Sequence, residues 1–173
     1  MDANHIGGYG RRMAHNLMES AVYLSGLLAK GFSRSLQQKA SRLGVSPGQF
    51  PILMTLWSED GITQRELVGR LEIEQATIAN TLSRMVRDGL VDRRPHPTDK
   101  RAQLLFLTDK AKALEEDVLK IAREADDAMF SGFRRFEREL MLEYMRWAIE
   151  NARKMEDGEE PSTEIHDIRQ IPV

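Results

Sequence analysis

Apolar residues recur at helical spacing from early in the chain. Between residues 13 and 43 they follow one another at steps of three and four, which places them along one face of a helix. They are Leu17, Ala21, Leu24, Leu28, Phe32, Leu36, Ala40 and Leu43. Gly26 and Gly31 fall within this run, so we predict a long helix that is bent or locally loosened and that ends at Gly44.

A second, shorter helix is predicted after this one. Ser46 and Pro47 are typical of a helix cap and a first-turn proline, and Asp60-Gly61 marks the end. Its apolar residues are Phe50, Leu53, Met54, Leu56 and Trp57. The first third of the chain is therefore expected to be helical.

Two capped helices separated by a short turn are predicted next. Thr63 and Glu66 have the spacing of a capping box, in which each side chain accepts a free backbone N–H of the other residue. After a turn at about Glu72 to Glu74, a helix is expected from Gln75 through Arg87, with Gly89 as its stop.

The helix from Gln75 to Arg87 has two contrasting faces. The side predicted to point inward carries Ile78, Leu82, Met85 and Val86. The opposite side carries small and polar residues, namely Ala76, Asn80, Ser83, Arg84 and Arg87, with Thr77 and Thr81 flanking them. Two capped helices with such an outer face predict a helix-turn-helix.

A β-hairpin is predicted directly after the helix-turn-helix. Residues 90–94 and 103–107 have strand-like composition, and the Pro95 to Arg101 segment between them is rich in turn residues and basic at its tip. A hairpin in this place is a wing. Thr108 then caps a further helix, predicted to run to Met129. Ser131-Gly132 breaks it, and a last helix is expected from about Arg134 to Met155.

The long helices at both ends carry more apolar surface than a small winged domain can cover, so we predict a homodimer that intertwines through them. The fold class is mainly α with a small β-hairpin wing. The expected domains are an N-terminal extension and dimerisation helix (1–44), a winged helix-turn-helix lobe (45–107), dimerisation helices (108–156) and an acidic tail (157–173). A two-fold dimer would place its two recognition helices roughly 34 Å apart, in successive major grooves of DNA.

Charge is unevenly distributed along the chain. The net charge is only -2, yet six basic side chains face three acidic ones between Arg84 and Arg101. Acidic residues dominate from Lys154 to Asp167. A basic segment on a helix-turn-helix and its wing indicates double-stranded DNA as the partner.

Composition excludes several other classes of protein. There is no cysteine, which rules out disulfides, thiolate metal sites and cysteine nucleophiles. The four histidines show no metal-ligand spacing, and Ser, His and Asp form no catalytic grouping, so we expect neither a metal, a cofactor nor an enzyme. No apolar run is long enough to cross a membrane, and no secretory signal is evident, so a cytoplasmic location is expected.

Several motifs resemble the multiple antibiotic resistance regulator (MarR) family. They are the run from Leu71 to Ile78, Asp88-Gly89-Leu90-Val91, Arg93-Arg94-Pro95, the wing segment Thr98 to Ala102, and Leu107-Thr108. Asp99 and Arg101 match the family's wing signature of aspartate, any residue, then arginine. The resemblance covers about residues 15 to 155. It implies a dimeric winged helix-turn-helix regulator, usually a repressor that a small aromatic or phenolic acid releases from DNA.

The resemblance and the charge pattern together nominate DNA-binding residues. They are Gln75, Ala76, Thr77, Asn80, Thr81 and Arg84 on the recognition helix, and Arg93, Arg94, Asp99, Lys100 and Arg101 on the wing. Asn80 can bond adenine and Thr77 can contact a thymine methyl group, while Arg101 can enter a narrow minor groove. Family members often have proline at the position of Ala76 and arginine at that of Asn80, so the operator sequence stays open.

An effector pocket is expected from the resemblance, and its residues are nominated by their chemistry. An aromatic carboxylate requires aromatic walls and a cation. The candidates are His15, Tyr23, Arg34, Arg42, Phe50 and Trp57. A free acid and its thioester both remain open, as does a DNA-binding activator or architectural protein that has no small-molecule effector.

Overall fold

In a computed structural model the structure describes residues 18–160, which are mainly helical with one small antiparallel sheet. The helices are α1 (Ala21–Ala40), α2 (Phe50–Ser58), α3 (Gln64–Leu71), α4 (Gln75–Arg87), α5 (Asp109–Ala113), α6 (Glu115–Met129) and α7 (Arg135–Glu156). The strands are β1 (Ile62–Thr63), β2 (Val91–Pro95) and β3 (Gln103–Leu107). The predicted fold class is confirmed. Within the described range, no helix is both long and apolar enough to cross a membrane.

The chain divides after Met129 into two compact units. The first holds α1 to α6 and the sheet, and the second holds α7. In the second unit the side chains of Tyr144 and Trp147 pack against each other, with ring centroids 5.4 Å apart. None of the α7 side chains is buried.

Helix α1 runs without interruption through Gly26 and Gly31. Its first turn is capped by Ser20, whose side chain accepts the N–H of Tyr23 at 3.3 Å. A 3₁₀ turn, Ser41–Leu43, follows, and Gly44 takes a left-handed conformation with φ of 71°, as a glycine after a helix commonly does. The predicted end at Gly44 is confirmed, and the part of the predicted helix before residue 18 lies outside the described residues.

The predicted start of α2 is wrong. The helix begins at Phe50, with Pro51 in its first turn. The backbone N–H of Ser46 donates to Gln49 Oε1 at 2.8 Å, and the N–H of Gln49 donates to the Ser46 carbonyl at 3.0 Å. Ser46 therefore belongs to a turn closed by the buried Gln49, and it does not cap the helix.

One apolar core holds the first unit together. Most of its large, fully buried side chains come from α2, α3, α4 and β3, and β2 and α6 contribute Val91 and Val118. Those of the first four elements include Leu53, Leu56, Leu67, Ile78, Leu82, Met85 and Leu105. Removing so much apolar surface from water is the main force that stabilises this arrangement. Val86 was predicted to join the core but is 40% exposed, because it lies about 100° around the helix from Met85.

The sheet has the strand order β1-β3-β2, and all neighbours are antiparallel. Arg93 pairs with Leu105 and Arg94 pairs with Leu104. Strand β1 was not predicted from the sequence, because two residues are too short to show an alternating pattern. It joins the start of α3 to the base of the wing.

The single helix predicted from Thr108 to Met129 is instead two helices, α5 and α6, that meet at Leu114. Thr108 caps α5 as predicted, accepting the N–H of Ala111 at 3.2 Å. The N–H of Leu114 turns back to the carbonyls of Ala111 and Lys112, which tightens the chain there. The predicted break at Ser131-Gly132 is confirmed, with Gly132 at φ 90°.

Candidate nucleic-acid interface

The start of α3 is fixed by the predicted capping box. The N–H of Thr63 donates to Glu66 Oε2 at 2.7 Å, and the N–H of Glu66 donates to Thr63 Oγ1 at 3.2 Å. Hydrogen bonds from the backbone and side chain of Thr63, helped by the charge of Arg70, hold the pKa of Glu66 below its ordinary value. The carboxylate is thus kept charged at the helix N-terminus, where negative charge is favourable.

The turn between α3 and α4 depends on a strained residue. Glu72 adopts a left-handed conformation with φ of 51°, and its N–H donates to the Val68 carbonyl at 3.2 Å. This conformation is unfavourable for residues with a Cβ and is found where surrounding structure imposes it. It reverses the chain tightly enough for α4 to begin at Gln75.

Helix α4 presents the face that the sequence predicted. On its inner side, Ile78, Leu82 and Met85 are buried. The predicted contact residues on its other side, Gln75, Ala76, Thr77, Asn80 and Arg84, are all exposed. Thr81 is half-buried, and its hydroxyl donates to the Thr77 carbonyl at 2.9 Å. Burial of one face keeps the opposite face of α4 available for a partner.

The tip of the wing is closed by backbone hydrogen bonds. The N–H of His96 donates to the Ala102 carbonyl at 3.2 Å, and the N–H of Ala102 donates to the Asp99 carbonyl at 3.1 Å. Asp99 Oδ1 accepts the N–H of Arg101 at 2.9 Å. Among the ion pairs of residues 18–160, none joins the Asp99 carboxylate to the Arg101 guanidinium. Asp99 therefore fixes Arg101 through the main chain.

The two adjacent arginines of β2 occupy different faces of the wing. Successive strand residues point to opposite sides, so Arg93 shares a face with Leu105, whereas Arg94 shares one with Phe106. The Arg94 guanidinium lies 4.3 Å from the centroid of the Phe106 ring. That ring also packs so closely on Gly61 that a Cβ there would lie 3.0 Å from it.

A cationic cleft of about 570 Å³ lies between the wing and the start of α3. We call it the wing cleft. The basic side chains that line it are Arg65, Arg93, Lys100 and Arg101. Three of these were predicted as DNA contacts. Arg65 was missed, because only the pairing of β1 with β3 brings the start of α3 beside the wing.

Comparison with known proteins identifies this arrangement. The sequence model of the MarR family matches residues 45–102. A MarR transcriptional regulator from Methanosarcina mazei Go1, known from its crystal structure, is 32% identical with a TM-score of 0.68. The match covers 77% of this chain and 98% of that one. The chain belongs to the MarR family.

Other MarR-family relatives agree with this assignment. A crystal structure of a mutant MarR from E. coli complexed with operator DNA is 26% identical, with a TM-score of 0.67, over 73% of this chain and 90% of that chain. The transcriptional repressor YetL from Bacillus subtilis is 34% identical over 53% of this chain and 56% of its own length. This chain is therefore a DNA-binding transcriptional regulator, and such regulators are not enzymes.

The predicted effector residues do not line one cavity of this MarR-family chain. Trp57 donates its ring N–H to the Ala111 carbonyl at 3.1 Å, which ties α2 to α5. Arg42 borders a polar cleft with Lys39 and Lys120. Tyr23 and Arg34 are exposed on α1, and His15 lies outside the described residues.

Phe50 does line a cavity, an apolar groove of about 490 Å³ formed by α1, α2 and α6. We call it the α1–α2–α6 groove. Its walls include Phe32, Leu36, Phe50 and Met54, and Arg123 and Asp126 are its charged residues. Of these residues only Phe50 was predicted from the sequence, since the groove exists only where helices distant in sequence meet. Elsewhere in residues 18–160, no three His, Asp or Glu side chains are grouped as metal ligands would be.

Proposed function

We propose that this chain is a homodimeric transcriptional repressor that binds a pseudo-palindromic operator and leaves it when a small aromatic acid, or its thioester, binds. The observation that carries the proposal is α4, in which Ile78, Leu82 and Met85 are buried while most of the residues expected to read bases are exposed. Membership of a family with an operator complex supports it.

In this proposal α4 enters the major groove, which is wide enough for a helix. Asn80 then bonds an adenine edge through its amide, and Thr77 contacts a thymine methyl group or a phosphate. Gln75, Ala76, Thr81 and Arg84 complete the contacts of this helix. Because base edges differ in the major groove, these side chains determine which operator is chosen.

The wing takes the adjacent minor groove. Arg101 is inserted there, since the negative potential of a narrow minor groove favours a planar cation. Arg93, Arg94 and Lys100 bind phosphates, which position the protein without reading sequence. Arg65 joins them from the start of α3, on the opposite wall of the wing cleft.

The homodimer is supported by the apolar side chains that the terminal helices leave exposed. On α1 Val22 is 85% exposed, and Leu24 and Leu27 are also exposed. On α7 Tyr144 and Ile149 are exposed in the same way. Apolar surface of this kind marks an interface, and a two-fold partner would set two α4 helices one DNA turn apart.

The α1–α2–α6 groove is the site we propose for the small molecule. Aromatic and aliphatic walls from Phe32, Phe50 and Met54 suit a planar ring, and Arg123 supplies a cation for a carboxylate. The groove joins α1 and α6, predicted to dimerise, to α2 of the DNA-binding lobe. A ligand bound in this groove changes the angle between the dimerisation helices and the DNA-binding lobe. It therefore changes the spacing of the two α4 helices.

The decisive experiment is a gel-shift titration on the DNA upstream of the protein's own gene, with and without aromatic acids and their thioesters. We expect a specific shift that one compound abolishes, and Arg123→Ala to make that compound ineffective while the shift persists. A specific shift that no compound abolishes would favour a regulator without an effector. Absence of any specific shift would contradict repression at this site.

A further inference from the structure

His96 lies where β2 leads into the tip of the wing, and its ring bonds to the tip itself. Nδ1 accepts the N–H of Asp99 at 3.1 Å and the N–H of Thr98 at 3.3 Å. Thr98 Oγ1 also lies 3.3 Å from Nδ1. A backbone N–H can only donate. Nδ1 must therefore carry its lone pair, which places the ring proton of the neutral imidazole on Nε2.

These bonds connect His96 to Arg101 through one intervening residue. Nδ1 holds the backbone of Asp99, and the carboxylate of Asp99 holds the N–H of Arg101 at 2.9 Å. The N–H of His96 also closes the loop on the carbonyl of Ala102. The imidazole is thus the first member of a short series of contacts that ends at the wing arginine.

We propose that His96, as a neutral hydrogen-bond acceptor, is the positioning residue that holds Asp99 and Arg101 in the DNA-binding arrangement of the wing. This rests on the proposed function, which makes Arg101 a DNA contact. An imidazolium carries N–H groups on both nitrogens, so protonation would set a donor against two backbone donors. Protonation of Nδ1 would therefore open the tip and weaken DNA binding.

The charges around His96 come from three places. Glu66 and Arg65 face it from α3, Arg93 faces it from β2, and the loop itself contributes Asp99, Lys100 and Arg101. Two of these groups are carboxylates and four are cations, and the phosphates of bound DNA would attract an imidazolium. A histidine that acted only by its charge would therefore bind DNA more tightly in acid, which is the opposite of the effect proposed.

Two substitutions separate the acceptor from the charge. In His96→Asn the amide oxygen can take the place of Nδ1 but does not titrate, whereas His96→Ala removes the acceptor. His166→Asn is the matched control, since it removes a histidine of the tail. Affinity is measured by fluorescence anisotropy at constant ionic strength, with a labelled duplex selected in vitro by the wild-type protein at about pH 8.

We expect His96→Ala to bind this duplex about three- to tenfold more weakly than wild type at about pH 8, and His96→Asn to bind within about twofold. Acidification to about pH 5.5 should weaken wild type and His166→Asn by a similar factor and leave His96→Asn unchanged. In an Arg101→Ala background, His96→Ala should cause no further loss. The rescue and the missing pH dependence would together establish the positioning role.

Other outcomes overturn the proposal. It fails if His96→Asn is as weak as His96→Ala, or if wild type binds more tightly in acid. If Arg101→Ala is weak but His96→Ala matches wild type, the positioning role fails and the proposed function stands. A further outcome is that Arg101→Ala binds DNA with wild-type affinity, while acidification shifts the Thr98 and Asp99 amide resonances in wild type but not in the His96 variants. His96 would then order the loop. In that case the DNA contact of Arg101 is what fails, and the positioning role for DNA binding fails with it.

Discussion

Arg101 is held by its backbone, and this leaves its exposed guanidinium to act on a partner. Its N–H donates to Asp99 Oδ1, so the residue is oriented without an ion pair to its signature aspartate. We expect Arg101→Ala to weaken operator binding by about 1–3 kcal/mol and to lower the slope of log K against log salt by about 1. Fluorescence anisotropy over a salt series measures both.

A matched control is Arg146→Ala. Arg146 is an exposed arginine of α7 that pairs with Glu143 at 2.7 Å, and we expect its loss to leave the operator affinity unchanged. Sedimentation should show both variants in the oligomeric state of wild type. If Arg101→Ala kept full affinity at every salt concentration, the assignment of Arg101 to the minor groove would be wrong.

Asn80 tests whether α4 reads bases. Its side chain is exposed on the helix whose other face is buried, and an Asn–adenine contact discriminates by about 1–3 kcal/mol. We expect Asn80→Ala to reduce the affinity for the selected operator while affecting a duplex changed at one adenine much less. Anisotropy on a set of singly substituted duplexes gives the comparison. Equal losses on every duplex would show that Asn80 touches only phosphate.

Most of these side chains could be predicted from the sequence, but which of them lie close together in space could not. The family's wing signature and the helical pattern were enough to select Asn80 and Arg101. Placing Arg93 in the wing cleft and Arg94 over Phe106 required the register of the hairpin. Arg65 required the contact of β1 with β3, which has no signal in a two-residue strand.

Among the elements, α3 depends on its capping box. Thr63→Ala removes the acceptor of the Glu66 N–H, and such a loss costs about 1 kcal/mol of stability. We expect a lower midpoint of urea unfolding, measured at one protein concentration because a dimer's stability depends on it. Thr63→Ser, which keeps the hydroxyl, should stay close to wild type. Equal destabilisation by both variants would point to lost packing of the threonine methyl group.

The same capping box gives a pH dependence with a definite sign. The pKa of Glu66 is lowered in the folded chain, chiefly by the hydrogen bonds from Thr63, so the folded state binds fewer protons at this site than the unfolded state. The stability that the Glu66 carboxylate contributes is complete above the pKa of about 4.3 that a glutamate has in the unfolded chain. This stability is lost as the pH falls through the lower pKa of the folded chain. Glu66→Gln should therefore differ most from wild type near neutral pH and least in acid, as measured by urea unfolding. A difference that is independent of pH would contradict this.

The elements that the sequence misplaced share a physical reason. Ser46 has the residue type of a cap, but the buried side chain of Gln49 takes up its N–H and delays α2 until Phe50. Leu114 continues an apolar period, yet the chain tightens there and divides α5 from α6. In both cases tertiary packing overrides a local preference that the pattern alone expressed.

At the scale of the whole molecule, net charge says little about the partner. The total of -2 conceals the four basic side chains that line the wing cleft. Association with DNA depends on the local electrostatic potential and not on the total charge. The acidic tail that balances these charges lies largely outside the described residues. The family, and with it the DNA-binding role, followed from the motifs of the helix-turn-helix and the wing and from the match to the MarR family.

The dimer is the property of the whole molecule that the exposed helix faces predict most directly. Ile149 of α7 is 48% exposed, and a partner helix that covered it would exclude water from its side chain. We expect Ile149→Lys to raise the dimer dissociation constant by at least about tenfold, since burying an unpaired ammonium group is costly. Sedimentation over a concentration series measures this.

Ile149→Lys should lower the affinity for the operator as well as weaken the dimer, because two linked half-sites bind far more tightly than one. Glu156→Lys places the same lysine at the end of α7, where the native residue is already charged and exposed, and it should leave both properties intact. If Ile149→Lys remained a dimer with full affinity for the operator, this face of α7 would lie outside the interface. The two α4 helices would then have to be spaced by another surface, for which the exposed apolar residues of α1 are a candidate.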